Sequence, residues 1–237
     1  MMPIKHRLAQ YSWETLRLQL HEQGFAILPR LFYNNETKAL VEQFDAENLY
    51  RKTVIMERYR FGRGTYKYYK DPLPNIIHHT REALYSFLAP VANLWMEQLK
   101  IDIRYPQEYQ SFYELCRKAG QELPASLILS YETGGFNTLH QDLYGDIYFP
   151  MQAVVGLNQP GKDYEGGEFV LVQQNPRAQS SAKVIRLHEG DMLIFTTQFR
   201  PYKGKYGYAK LMLKHGVSEV TYGRRSALGI IFHLANQ

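Results

Sequence analysis

"SLILSYETGGFNTLHQD", residues 126–142, is where the chain changes character. From here on, apolar residues come in short runs: "QAVVGL" (152–157), "EFVLV" (168–172), "AKVIRL" (182–187), "DMLIF" (191–195), "KLMLKH" (210–215) and "RSALGIIF" (225–232). Gly, Pro, Asn and Asp clusters separate them. Several short strands at such spacing predict a sandwich or barrel-like sheet. The first half reads instead mainly as helices. Ser12 is placed to cap a helix carrying Trp13, Leu16 and Leu20 on one face and ended by Gly24. "FAILP" (25–29) is a short strand stopped by proline, and Asn34 or Asn35 starts a second helix with Leu40, Val41 and Phe44 on one side. Residues 82–99 repeat the helical pattern, with a kink or break expected at Pro90. A last helix is expected over 107–119, ending at Gly120. The economical reading is one α+β domain over 1–237, in which a mainly helical part (1–125) packs on a β-rich core (126–237).

The chain has 237 residues, enough to bury a sizeable core, and 45% are hydrophobic, as in ordinary globular proteins. No apolar run approaches a membrane span, and "MMPIKHRLAQYSWE" lacks the apolar middle of a signal peptide. A single cysteine, Cys116, excludes an intrachain disulfide and a cysteine-based zinc cage. These features point to the cytoplasm and away from membranes. The net charge of +5 is compatible with an anionic substrate or a nucleic acid without demanding either.

At the end of the opening stretch stand His140 and Asp142. Residues i and i+2 of a strand share a face, so the imidazole and the carboxylate would meet at one point with Gln141 turned away. The pair is either part of a metal site or polar punctuation at a strand end. A third ligand must come from elsewhere, and His215 lies in a strand-like run of the same β-rich half. Two imidazoles and one carboxylate on one side of a metal leave open positions opposite, as in non-haem Fe(II) oxygenases. Alternatively, His215 caps its strand. His78 and His79 are a weaker pair, since neighbours on a helix face different directions. Nine and ten residues beyond His215, Arg224 and Arg225 point to opposite faces of one strand. Arg225 shares its face with the small residues Ala227 and Gly229, which leave room for a ligand. Its planar guanidinium suits the far carboxylate of a dianionic acid such as 2-oxoglutarate.

The set His140-x-Asp142, His215 and Arg225 resembles that of the 2-oxoglutarate/Fe(II)-dependent dioxygenases. More narrowly, "HQDLYGDIYFPMQ", "GGEFVLVQQNPRAQS", "GDMLIF", "RPYKGKYGY" and "HGVSEVTYGRRSALGIIFH" resemble a prolyl-hydroxylase-like bacterial oxygenase family labelled as acting on damaged DNA. "YKYYKDPLP", "LAPVANLW" and "AGQELPASLILSY" extend the resemblance to nearly the whole chain. It implies a double-stranded β-helix, or jelly roll, with the N-terminal helices packed on it. It also implies Fe(II) on His140, Asp142 and His215, with 2-oxoglutarate as cosubstrate and O2 as oxidant. Arg225 would hold the far carboxylate and Tyr131 would donate a second hydrogen bond; Tyr131 is equally well read as a core tyrosine. Tyr144 and Arg200 are the candidate substrate contacts. Gly166-Gly167 and Gly190-Asp191 read as structural turns, and Cys116 as a helix core residue.

Between Tyr50 and Lys70, seven Lys or Arg face one acidic residue, with five tyrosines interleaved. A second basic, tyrosine-rich loop spans 200–210. Such a pattern suits DNA or RNA, cations tracking phosphates and rings stacking on unpaired bases. It also suits a solvated strand face with tyrosines packed inward, or a pocket for a small anion. The candidate reaction is hydroxylation or oxidative demethylation, of a damaged base or else of a protein side chain or small metabolite. Two rival classes are a metal-dependent hydrolase, which has no use for Arg225, and a non-catalytic binding β-sandwich.

Overall fold

Alternation along the strands of the second half builds two sheets that face each other. The computed structural model describes residues 2–142, 145–175 and 177–236. In chain order its helices are α1 (Ile4–Leu8), α2 (Trp13–Gln23), α3 (Asn34–Glu42), α4 (Asn75–Gln98) and α5 (Tyr109–Lys118). The strands are β1 (Phe25–Leu28), β2 (Tyr50–Ile55), β3 (Gly62–Arg63), β4 (Thr65–Tyr69), β5 (Leu123–Pro124), β6 (Leu127–Glu132), β7 (Phe136–His140) and β8 (Met151–Gly156). They continue with β9 (Tyr164–Gly166), β10 (Phe169–Gln174), β11 (Ser181–Ile185), β12 (Met192–Thr196), β13 (Phe199–Gly204), β14 (Gly207–Val217), β15 (Val220–Ile230) and β16 (Leu234–Ala235).

The major sheet has the order β1-β12-β8-β15-β6-β4-β2, with β9 also paired to β15. The minor sheet has the order β11-β10-β14-β7-β3, with β13 also paired to β14. Val154, Leu193, Phe195 and Ala227 from the major sheet pack against Phe169, Leu171 and Leu213 from the minor one. The alternate residues of the major sheet, Ile128, Val155, Ile194 and Leu228, point the other way into a cluster with Leu84, Leu88 and Trp95 of α4. The major sheet is thus buried on both faces, which is why β8 is apolar almost throughout. This is the expected jelly-roll core with helices packed on one side.

Helix α2 has the predicted caps: the Ser12 hydroxyl accepts the Thr15 N–H, and Gly24 at φ 80° donates its N–H to the Leu20 carbonyl. Helix α4 starts at Asn75, earlier than residue 82, and continues through Pro90 without the expected break. Proline has no N–H for the carbonyl four residues back. That carbonyl, on Ser86, accepts instead from Gln107 Nε2 at 2.9 Å. The first half also contributes strands its helical reading did not include. Strands β2 and β4 extend the major sheet and β3 joins the minor one, so residues 50–69 bridge the two. No helix among the described residues is long and apolar enough to cross a membrane.

An aromatic knot anchors the chain beyond the opening stretch. The Phe149 ring lies 5.0 Å from Tyr85 and 5.1 Å from Phe232 between centroids, and the Phe149 N–H donates to His233 Nδ1 at 3.3 Å. An accepting ring nitrogen means a neutral imidazole. Burial pushes the His233 pKa down from 6.5 to about 4. The unfolded chain therefore binds a proton near pH 6.5 that the fold refuses until about pH 4. Stability is complete above pH 6.5 and is lost as the pH falls towards 4, by on the order of 3 kcal/mol. Urea unfolding of wild type should lose stability more steeply between pH 6.5 and 4.5 than His233→Asn, which keeps an acceptor but does not titrate. Equal slopes would remove this assignment.

Candidate metal centre

Strands β7 and β14 are antiparallel neighbours, and their register sets His140 directly opposite His215. A cross-strand pair shares a face, so the two rings lie 4.2 Å apart between centroids. Strand β7 ends at His140, so Asp142 is not the strand residue its spacing suggested. It stands just beyond, yet its carboxylate returns to the same point. Its Oδ1 is 3.4 Å from His140 Nε2 and its Oδ2 is 3.2 Å from His215 Nε2. The three side chains each offer one ligand atom, all within 4.8 Å of one another.

Each group is prepared for a cation. His140 Nδ1 lies 2.8 Å from the Thr138 carbonyl. A carbonyl can only accept, so Nδ1 carries the hydrogen and the Nε2 lone pair faces the site. His215 is held by packing instead: its ring stacks on Phe169 at 5.6 Å and meets the edge of Phe195 at 4.8 Å. Burial lowers its pKa, which favours the neutral ligand form. Burial alone would raise the pKa of Asp142, but its interactions with the neighbouring His140 and His215 outweigh it and hold the carboxylate well below its usual range. Two neutral-capable imidazoles and one ionised carboxylate fit a small divalent cation such as Fe(II).

The three groups open onto a cavity of about 270 Å³ between the sheets. Its other wall carries Arg225 on β15 and Tyr131 on β6, which are register partners. Both are buried, with the guanidinium carbon 5.5 Å from the centre of the Tyr131 ring. Burial raises the Tyr131 pKa to about 12, so its hydroxyl keeps its proton and can donate. Ala227 and Gly229 line the cavity beside Arg225 as expected. Arg224 lies on the opposite face and donates its Nε–H to Ser130 Oγ at 2.8 Å. Gly167, read from sequence only as a turn, has a second role: at φ 63°, a Cβ there would stand 2.8 Å from Arg225 Cδ.

Arg200, expected at the substrate, is not among the cavity's lining residues. Its guanidinium is committed elsewhere, donating to the His21 carbonyl and to Gln173 Oε1, both at 3.0 Å. Tyr144 lies outside the described residues. Gln141 Nε2 donates to the Leu213 carbonyl at 2.7 Å and fastens the segment to β14. The basic stretch 50–70 divides. Lys67 is buried and paired with Glu47 at 2.5 Å, while Arg58, Arg60 and Arg63 are exposed. Beside them, Tyr59 and Phe61 stack at 5.5 Å, and Phe61 lines the cavity.

Tyr66 and Tyr68, two of the five tyrosines of that basic stretch, also line the cavity, as does Gln152, which was not found from sequence. Gln152 donates to Asp142 Oδ2 at 2.7 Å. The available signal was a lone glutamine inside the otherwise apolar β8. His78, His79 and Glu82 also bring ligand atoms within 4.8 Å. They lie in the first two turns of α4, where the partial positive charge of the helix end opposes a cation.

Residues 64–235 match the model of a family described as "Oxygenase, catalysing oxidative methylation of damaged DNA". Two uncharacterized Mycobacterium tuberculosis proteins, from strains CDC 1551 and H37Rv, are each 41% identical over 162 residues, 68% of this chain and 70% of theirs. A Pseudomonas putida prolyl-4-hydroxylase shares the fold at TM-score 0.53 and 15% identity, over 95% of this chain and all (100%) of that one. A 2OG-Fe(II) family oxidoreductase from Burkholderia pseudomallei does so at TM-score 0.52 and 17% identity, over 96% and 95%. A Trichoplax adhaerens prolyl hydroxylase, solved with a hypoxia-inducible-factor peptide, follows at 0.55 and 14%, over 96% and 89%. With the family model spanning most of its length, the chain belongs to this oxygenase family, an oxidoreductase built on the fold of the 2-oxoglutarate/Fe(II) oxygenases.

Proposed function

We propose that this protein is a 2-oxoglutarate- and Fe(II)-dependent dioxygenase that oxidises a C–H bond of a nucleic-acid base. One observation carries the reading: His140, Asp142 and His215 converge on the same cavity whose opposite wall holds Arg225. Bound Fe(II), with 2-oxoglutarate and O2, would supply the oxidising chemistry that no side chain can provide. The three ligands come from one side and leave the other side of the cation to the cavity. The Arg225 guanidinium would take the far carboxylate of the acid through two charge-assisted hydrogen bonds, with the Tyr131 hydroxyl as a further donor. Phe169, Phe195, Leu129 and Ala227 line the same space. Their apolar surface keeps bulk water from the reacting groups and strengthens the pairing at Arg225. A hydrolase would have no use for such a buried cation.

The nucleic-acid part rests on two supports: the family's description and the arch between β2 and β4. There Tyr59 and Phe61 offer a stacked pair at the cavity's edge, flanked by exposed Arg58, Arg60 and Arg63. Rings that stack on a base and cations that follow its phosphates are what an unpaired strand needs. An extruded base is the form of substrate that a cavity between sheets can admit.

Protein reconstituted anaerobically with Fe(II) should release succinate from 2-oxoglutarate on exposure to O2, and Asp142→Ala should abolish the release. Arg225→Ala should raise the KM for 2-oxoglutarate roughly 10- to 100-fold, the equivalent of the ~1.5–3 kcal/mol that a hydrogen bond to a charged group contributes. No succinate from the wild type, or an unchanged KM in the Arg225 variant, would sink the oxygenase assignment of these residues. Separately, single-stranded DNA should bind with a steep salt dependence. Replacing Arg58, Arg60 and Arg63 together by Ala should flatten the slope of log K against log salt by roughly 2, at ~0.7 per phosphate contact. An unaffected slope would remove the arch from the substrate surface and favour a protein side chain or small metabolite.

A further inference from the structure

Asp142 has a structural problem that its two partners do not share. His140 and His215 sit on paired strands, and the sheet fixes where their rings go. Asp142 lies past the end of β7. Two glutamines take over that task. Gln141 Nε2 donates to the Leu213 carbonyl, so the backbone next to Asp142 is fastened to β14 two residues before His215. Gln152, on the inner face of β8 in the opposite sheet, reaches across and donates its Nε2–H to Asp142 Oδ2 at 2.7 Å. The residue is only 2% exposed, so solvent does not compete for that bond.

We infer that Gln152 is a positioning residue of the metal centre: it orients the Asp142 carboxylate for the cation. The inference rests on the reading of His140, Asp142 and His215 as the ligand set. A ligating carboxylate normally has its orientation held by an outer hydrogen bond, and a carboxylate can only accept, so the amide must present its NH2 group. The chemistry of the donor fits the task. A lysine or arginine at this place would hold the carboxylate equally well but would set a positive charge beside the cation. A glutamate would repel the carboxylate. The neutral amide donates and adds no charge. Because Gln152 belongs to the major sheet and Asp142 to the segment leaving the minor one, the bond also ties the centre across the gap between them.

Co(II), which replaces Fe(II) in such sites and absorbs visible light according to its ligand geometry, serves as the probe. The titration is read by absorbance, without turnover, on wild type, Gln152→Met and Asp142→Ala. Gln152→Met keeps the length of the side chain and removes the donor. It should weaken Co(II) binding roughly 10- to 100-fold and change the visible spectrum, with the near-ultraviolet circular dichroism of the fold retained. If Gln152→Met does not fold, Gln152→Asn, which withdraws the amide by one methylene, takes its place with the same expectation. A variant that folds and binds Co(II) with wild-type affinity and spectrum overturns the role of Gln152 and leaves the ligand assignment standing. Wild-type-like Co(II) binding by Asp142→Ala overturns the ligand assignment and this inference together.

Discussion

The pairing of β7 with β14 is the constraint on which the site depends. It places His140 opposite His215, and every other contribution is arranged around that fact. A slip of one residue would turn one imidazole to the opposite face of the sheet. Here the register is pinned by more than ladder bonds. Both the Thr138 N–H and its hydroxyl donate to the Phe61 carbonyl at 2.9 Å, and Gln141 bonds to Leu213. The Gln141 bond joins the end of β7 to β14, while those of Thr138 fasten the opposite edge of β7 to the arch before β3.

Around this pair the two histidines are oriented by different physics. His140 has a directed hydrogen bond to the Thr138 carbonyl. His215 has its Nδ1 buried without a hydrogen-bond partner among the described residues, and it depends on Phe169 and Phe195 for its orientation. One imidazole is set by the backbone and the other by the core. Asp142 is set by neither, and a glutamine from the facing sheet does that work. The candidate centre is therefore a joint product of both sheets although both histidines stand on one.

Much of this was legible in the sequence because it follows from local periodicity. The runs from 126 onward became the strands expected, and the Ser12 and Gly24 caps of α2 are those the residue types demand. That Arg225 rather than Arg224 faces the cavity needed only the period-two alternation and the small residues Ala227 and Gly229. What was not legible depends on distant partners. Pro90 reads as a helix break until Gln107 is known to satisfy the Ser86 carbonyl. Residues 50–69 mix charges with tyrosines, so no single face is apolar, and their strands exist because β6 and β7 offer edges to pair with. Lys67 looks like a surface cation in a basic run, yet it is buried on Glu47. Gln152 gives no spacing signal because its partner is not on its own strand, and Arg200 is drawn away by carbonyl and amide acceptors from α2 and β10.

The proposed ligands stand on or beside the minor sheet, whereas Arg225 and Tyr131 stand on the major one. An acid that chelates a cation at one end and meets Arg225 at the other must therefore span the space between two layers. What sets that span is the apolar filling around it: Val154, Leu193, Phe195 and Ala227 against Phe169, Leu171 and Leu213. Interiors packed at this density do not stretch or compress freely. On that reading the sandwich would work as a gauge for the length of a dicarboxylic acid, calibrated by the packing between its two sheets.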